Sequence, residues 1–207
     1  MAFVKACEIC AKTKVTAEPK APILRHGDVC RPWQRLNVDL IGPLPASEDN
    51  HRYILSVVDM FTRYGIAIPL VDKSMVVVSR AMVDHVISPH GCPEEIFSDN
   101  GSEFVGAAFR QAVKSLGISQ KFVTPFRPQA SGRVERFNGS LQRILRAIAI
   151  EQPQSWHLSL PIATLAYNTS YNNSVRDTPY FFMYLRDAHL PYKEILNSRP
   201  VWYNVRD

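Results

Sequence analysis

Three short apolar runs with turn-forming breaks between them set the strongest limit on how this chain can fold. Residues 36–41, 53–60 and 65–70 are each of strand length, and the breaks hold Gly42-Pro43-Leu44-Pro45 with a polar loop through Asn50, then Thr62-Arg63-Tyr64. The pattern predicts three consecutive antiparallel strands joined as a meander. Beyond residue 70, helix and strand signals alternate. Ser74 is placed to cap a helix over 74–88, in which Met75, Val78, Met82 and Val86 recur at helical spacing until Pro89-His90-Gly91 stops it. A strand over 95–98 comes next, then a helix over 104–116 carrying Phe104, Phe109, Val113 and Leu116 and ending at Gly117, then a strand over 119–124. The order implies an α/β fold with a mixed central sheet of about five strands flanked by helices, its late strands reached through helical crossovers.

A long helix is predicted to begin near Gly132. Val134, Phe137, Leu141, Ile144 and Ile148 form one apolar stripe, and Glu135, Asn138, Gln142 and Arg146 form a polar one, so burying the first directs Glu135 toward a polar site. Pro153 breaks this helix. Ser155 is placed to cap another through about Asn168, and Thr178-Pro179 has the form of a further helix start.

A length of 207 residues with 46% hydrophobic content suits one main domain with short attachments. No run of about 18 apolar residues and no charged-then-apolar leader is visible, so an intracellular protein without a membrane span is expected. Four uneven cysteines, Cys7, Cys10, Cys30 and Cys92, point to thiols or a metal site over a disulfide framework. Cys7-Glu8-Ile9-Cys10 has the spacing of half a zinc site. His26 and Cys30 could complete it, but the Lys/Pro/Ala-rich stretch between reads as a linker, and a truncated finger is the plainer account. The formal net charge is +5, and residues 121–146 alone hold six basic residues against the single acid Glu135. An acidic partner is thus drawn to one stretch.

Three acids stand out. Asp39 lies inside the first apolar run, where an unpartnered carboxylate is costly. Asp99 closes the run at 95–98 on an Asp-Asn-Gly turn, and Glu135 comes after it with 35 residues between them. Carboxylates from separate elements suit hard divalent cations such as Mg2+ or Mn2+, and phosphodiester chemistry uses a pair of such ions. Asp before Asn-Gly is also an ordinary turn former. Asp59 ends an apolar run too and reads as a turn residue beside Thr62 and Arg63, while His51 and His90 read as ordinary turn residues.

The words RPWQRLNVDLIGPLP, YILSVVDMFTRY, IFSDNGSEFVGAAFRQ and TPFRPQASGRVERFNGSLQRIL together resemble the catalytic core of retroviral and Gypsy-type retrotransposon integrases, within the D,D-35-E polynucleotidyl transferases. The likeness runs from about Arg31 to Pro191 and includes AYNTSYNNSVRDTPYFFMYLRDAHLP. It implies an RNase H-like fold and carries catalytic and Mg2+-binding roles, with two ions, onto Asp39, Asp99 and Glu135. Contacts to DNA are expected from Gln129, Ser131, Arg133, Arg136, Asn138 and Arg143, in and after the loop before the catalytic helix. The resemblance further implies 3′-end processing and strand transfer of element DNA into target DNA, at least a dimer, and a nuclear site of action. Three segments are expected: residues 1–30 as the remnant of a zinc-binding domain plus linker, 31–151 as the core, and 152–207 as a helical extension. Cys7 and Cys10 resemble the second half of the family's His-His-Cys-Cys zinc domain, whose histidines would precede Met1, so the chain is taken to be a shortened form and bound Zn2+ is doubtful. The rival readings are a hydrolysis-only nuclease of the same fold, a catalytically silent DNA- or chromatin-binding module, and a zinc-finger adaptor resting on Cys7 and Cys10.

Overall fold

The computed structural model describes residues 29–122, 128–150 and 152–190, so Cys7, Cys10, His26 and the expected zinc-domain remnant lie largely outside the described residues. The meander forms as its breaks require. β1 (Arg35–Ile41), β2 (Tyr53–Asp59) and β3 (Gly65–Leu70) pair antiparallel, with Val38 opposite Val57 and Val57 opposite Ile66. β4 (Glu95–Ser98) joins the free side of β1 in parallel, Leu36 beside Ile96, and β5 (Ser119–Phe122) joins β4 in parallel. The sheet order is β3-β2-β1-β4-β5, and β1 is its central strand.

Side chains alternate across a strand, so each face of the sheet gathers its own core. On one face Leu36, Val38, Leu55 and Val57 pack with Val78, Met82, Val86, Phe104 and Phe109. On the other, Ile41, Ile54 and Val58 pack with Val134, Phe137, Leu141, Trp156 and Leu160. Asp39 shares the parity of Ile41, so it points to the second face.

The helices differ from the sequence expectation in instructive places. α1 (Met75–Met82) continues through a π-helical turn (Val83–Ile87) and one last turn (Ser88–His90), then stops at Gly91, whose φ of 89° a residue with a Cβ rarely adopts. Ser74 holds the cap position, but its hydroxyl makes no cap hydrogen bond; its N–H instead donates to Asp72 Oδ1 at 2.7 Å. The single helix expected over 104–116 is two, α2 (Ser102–Val105) and α3 (Ala107–Ser115), divided at Gly106. Gly106 is extended there, and a Cβ on it would lie 2.3 Å from Met75 Sδ, so close approach of α1 sets the break.

α4 (Pro128–Ile148) includes residues that the pattern assigned to the preceding loop. Proline fits the first turn of a helix because its φ is already helical and its missing N–H has no partner there. Along α4 the buried stripe runs Val134, Phe137, Leu141, Leu145, Ala149, whereas Ile144 is only partly buried and Ile148 is 40% exposed. Ile144 still packs against this core, so the expected stripe holds as far as Ile144 and is corrected at Ile148. Its last two turns share a core with Trp156 and Leu160 of α5 (Trp156–Asn168), which lies to the side of Leu145 and Ala149. α5 comes after a short 3-10 turn (Pro153–Ser155), and α6 (Pro179–Tyr184) is capped by Thr178, whose Oγ1 accepts from the Phe181 N–H at 3.1 Å.

Candidate active site

β1 delivers Asp39 to the face covered by α4. The carboxylate is half-buried; its Oδ1 accepts from the Leu40 N–H and its Oδ2 from Asn138 Nδ2, both at 2.8 Å. Its carbonyl accepts from Ser56 Oγ across the β1–β2 pair at 3.2 Å. β4 runs parallel to β1, paired as far as Asn37 and Phe97, and ends at Ser98, one residue before Asp99, whose charge reaches Asp39. Asp99 is exposed and closes its turn by accepting the Gly101 N–H on Oδ1 at 3.0 Å. Glu135 is exposed on α4, one turn before Asn138 and on the same side of the helix.

The three acids come within electrostatic range of one another. Burial above all pushes the Asp39 carboxyl above its ordinary range, and the charges of Asp99 and Glu135 push it further. The Leu40 N–H and the Asn138 amide act in the opposite direction by stabilising the carboxylate. Among the described residues no lysine, arginine or histidine forms an ion pair with any of the three. The three acids thus have no ion-paired counter-charge among the described residues, and their all-oxygen donor set suits hard divalent cations. The triad's oxygens are not gathered as tightly as a shared ion would hold them. Among the described residues only Asp49, His51 and His157 bring three ligand-type atoms within 4.8 Å of one another.

The remaining expected residues fall in different places. Asn138, expected on the DNA surface, is 9% exposed and turned onto Asp39, with its Oδ1 buried and unpartnered. Its described hydrogen bond is to the acid, and the cue was its place three residues after Glu135 on the polar stripe. Arg136 and Arg143 are exposed on α4, where Arg143 bonds the Gly139 carbonyl and Ser140 Oγ of its own helix. Gln129, Ser131 and Arg133 belong to the first turns of α4, and their side chains lie outside the described residues. Asp59 is fully buried and holds a turn, accepting from Trp33 N–H, Thr62 N–H and Thr62 Oγ1.

A five-stranded mixed sheet in this order, with acids from the central strand, its parallel neighbour and the helix laid over them, is an RNase H-like fold with an acidic site. Residues 30–128 match the family described as Integrase core domain, and the chain belongs to the retroviral and Gypsy-type integrase core family. It is 32% identical over 189 residues to the Pro-Pol polyprotein of simian foamy virus type 3 (strain LK3), covering 91% of this chain and 16% of that protein. It is 29% identical over 191 residues to the Gypsy retrotransposon integrase-like protein 1 of Bos taurus, covering 91% of this chain and 37% of that one. The chain thus spans well under half the length of these relatives.

Two solved structures share the fold. One is the simian T-cell lymphotropic virus intasome in complex with the PP2A regulatory subunit B56 gamma, with a TM-score of 0.66 at 22% identity, covering 92% of this chain and 66% of that one. The other is the HTLV-2 integrase catalytic core domain in complex with magnesium, in a trimeric form, with a TM-score of 0.63 at 19% identity, covering 74% of this chain and 98% of that one.

Proposed function

We propose that this chain is the catalytic core of an integrase that trims the 3′ ends of retroelement DNA and joins them to host DNA. The observation that carries the reading is that the charges of Asp99 and Glu135, from two other elements, reach Asp39, with no ion pair to any of the three among the described residues. These acids would hold two Mg2+ or Mn2+ ions, which supply activation of the attacking oxygen and charge stabilisation at the leaving oxygen. The chain's own groups do the positioning. Asn138 and the Leu40 N–H orient the Asp39 carboxylate, and the Asp99 turn holds the second acid beside it. Arg136 and Arg143, with Gln129, Ser131 and Arg133 of α4, would take up phosphates of element-end and target DNA, a role supported by the basic charge of residues 121–146. Family membership supports assembly into at least a dimer acting in the nucleus.

The test is a labelled element-end oligonucleotide incubated with the chain, Mg2+ and target DNA. Shortened strands and longer joined strands are both expected. Shortened strands alone identify a hydrolysis-only nuclease, and DNA binding without either product identifies a silent module.

Asn138→Ala removes the donor that orients Asp39, and loss of such a supporting hydrogen bond is expected to weaken apparent Mg2+ affinity by about 10- to 100-fold. Titrating the processing rate against Mg2+ checks this; an unchanged titration curve refutes the positioning role.

A further inference from the structure

Away from the acidic site, the β1–β2 loop meets the start of α5 through a cluster that no part of the reaction uses. His157 is buried, its side chain 5% exposed, and its Nε2 lies 2.7 Å from Oδ2 of the exposed Asp49. His51 stacks on it with ring centroids 4.9 Å apart and planes 29° from parallel. One ligand-type atom from each of the three lies within 4.8 Å of the others. Nδ1 of His157 is buried with no hydrogen-bond partner, so the Asp49 contact is the hydrogen bond the ring makes.

The surroundings hold this geometry in place. Ser47 Oγ bonds both the His51 N–H and, at 3.3 Å, His51 Nδ1, which orients the ring. Around it the Glu48 N–H donates to the Gln154 carbonyl, Ser155 Oγ to Glu48 Oε1 and Trp156 Nε1 to the Pro45 carbonyl, each at 3.0 Å, which binds the loop to the helix start. Two stacked imidazoles gain little from each other in water, and the short contact of one of them with a carboxylate needs a proton or a cation between the two atoms.

We infer that Asp49, His51 and His157 form a site for a borderline divalent cation, Zn2+ by donor type, that ties the β1–β2 loop to the head of α5. Two imidazole nitrogens and one carboxylate oxygen are a zinc donor set, and a fourth position is left for water. Ligand atoms on a tetrahedral ion with bonds near 2.0–2.1 Å stand about 3.3 Å apart. Asp49 Oδ2 and His157 Nε2 are already 2.7 Å apart and the separations to His51 lie within 4.8 Å, so binding the ion calls for a turn of the His51 ring together with the exposed Asp49 side chain. The ion takes the place of the proton shared by His157 and Asp49, which is released to solvent on binding. The site shares no residue with the acid triad, so its failure and the failure of the integrase reading are separate results.

The experiment uses the full chain carrying Cys7→Ser, Cys10→Ser and Cys30→Ser, with excess Mg2+ to occupy the oxygen-ligand site and Co2+ as the probe. A visible tetrahedral Co2+ band saturating near one equivalent is expected, displaced by Zn2+ and kept in an Asp99→Asn background. Asp49→Asn alters an exposed side chain and leaves folding intact; it and His51→Ala are each expected to weaken Co2+ binding by at least about tenfold. Zn2+ is expected to raise the melting temperature of the parent and not of those variants. Absence of the band, or a band indifferent to both substitutions, overturns the site and leaves an Asp49–His157 ion pair.

Discussion

Asp99→Asn is expected to leave the fold intact and to lower both end processing and joining by at least about 10³-fold, roughly 4 kcal/mol of barrier. The side chain is exposed, and its one hydrogen bond within the fold is accepted from the Gly101 N–H, which an asparagine carbonyl accepts equally well. Stability should therefore stay within about 0.5 kcal/mol of the parent, as for surface changes generally. What disappears is one negative charge from a group of three acids that form no ion pair among the described residues. Glu135→Gln should behave alike, since Glu135 is exposed and takes no part in the core. Rates of product formation on a labelled element-end duplex, beside a thermal melt of each variant, check both halves. Parental activity in a well-folded Asp99→Asn chain would sink the assignment of this acid.

Gly65→Ala is expected to be the most damaging small substitution outside the acidic site. Gly65 opens β3 directly beneath α4, and a Cβ there would sit 2.2 Å from Cε2 of Phe137. The Phe137 ring is fully buried and packed edge-on against Tyr167 at a centroid distance of 4.7 Å, so it has nowhere to swing. The Gly65 backbone is also pinned, its N–H donating to Asn168 Oδ1 and its carbonyl accepting from Asn168 Nδ2, both at 2.8 Å. Overpacking of this kind costs about 1–3 kcal/mol, and here the upper end applies. A chain of this size loses about 2–4 °C of melting temperature per kcal/mol. Phe137 lies two residues from Glu135, so the displaced helix carries an acid of the site with it. Adding Phe137→Leu to Gly65→Ala should recover part of the loss, because the smaller side chain vacates the volume the new Cβ needs. A Gly65→Ala chain that melts with the parent would show that α4 has another seat on the sheet.

Most of the sheet was legible in the chain because each strand is written locally. Apolar runs of four to eight residues bounded by Gly, Pro or Asn name their own ends, and the strand over 65–70 and the strand over 95–98 lie where the residues put them. The helix start marked by Thr178-Pro179 was equally local, and α5 begins just after Ser155, although the Ser155 hydroxyl bonds Glu48 and makes no cap hydrogen bond. Breaks set by a neighbour were not. Gly106 divides one expected helix because Met75, about thirty residues earlier in the chain, comes up against it.

The amino-acid sequence by itself determined that three acids would stand on a strand, a strand end and a helix, because spacing and turn chemistry are properties of short stretches. Only the tertiary structure decided what faces them. The parallel pairing of β1 with β4 brings Asp99 within electrostatic reach of Asp39, and the packing of α4 turns Asn138 inward onto Asp39 instead of outward to solvent. The same holds for His51, which in the chain is an ordinary loop histidine and in the fold stacks on His157, over a hundred residues away. Periodicity says which residues share a side of an element, but the element's rotation is set by whatever packs on it. That is a sum over distant contacts, and no local pattern carries it.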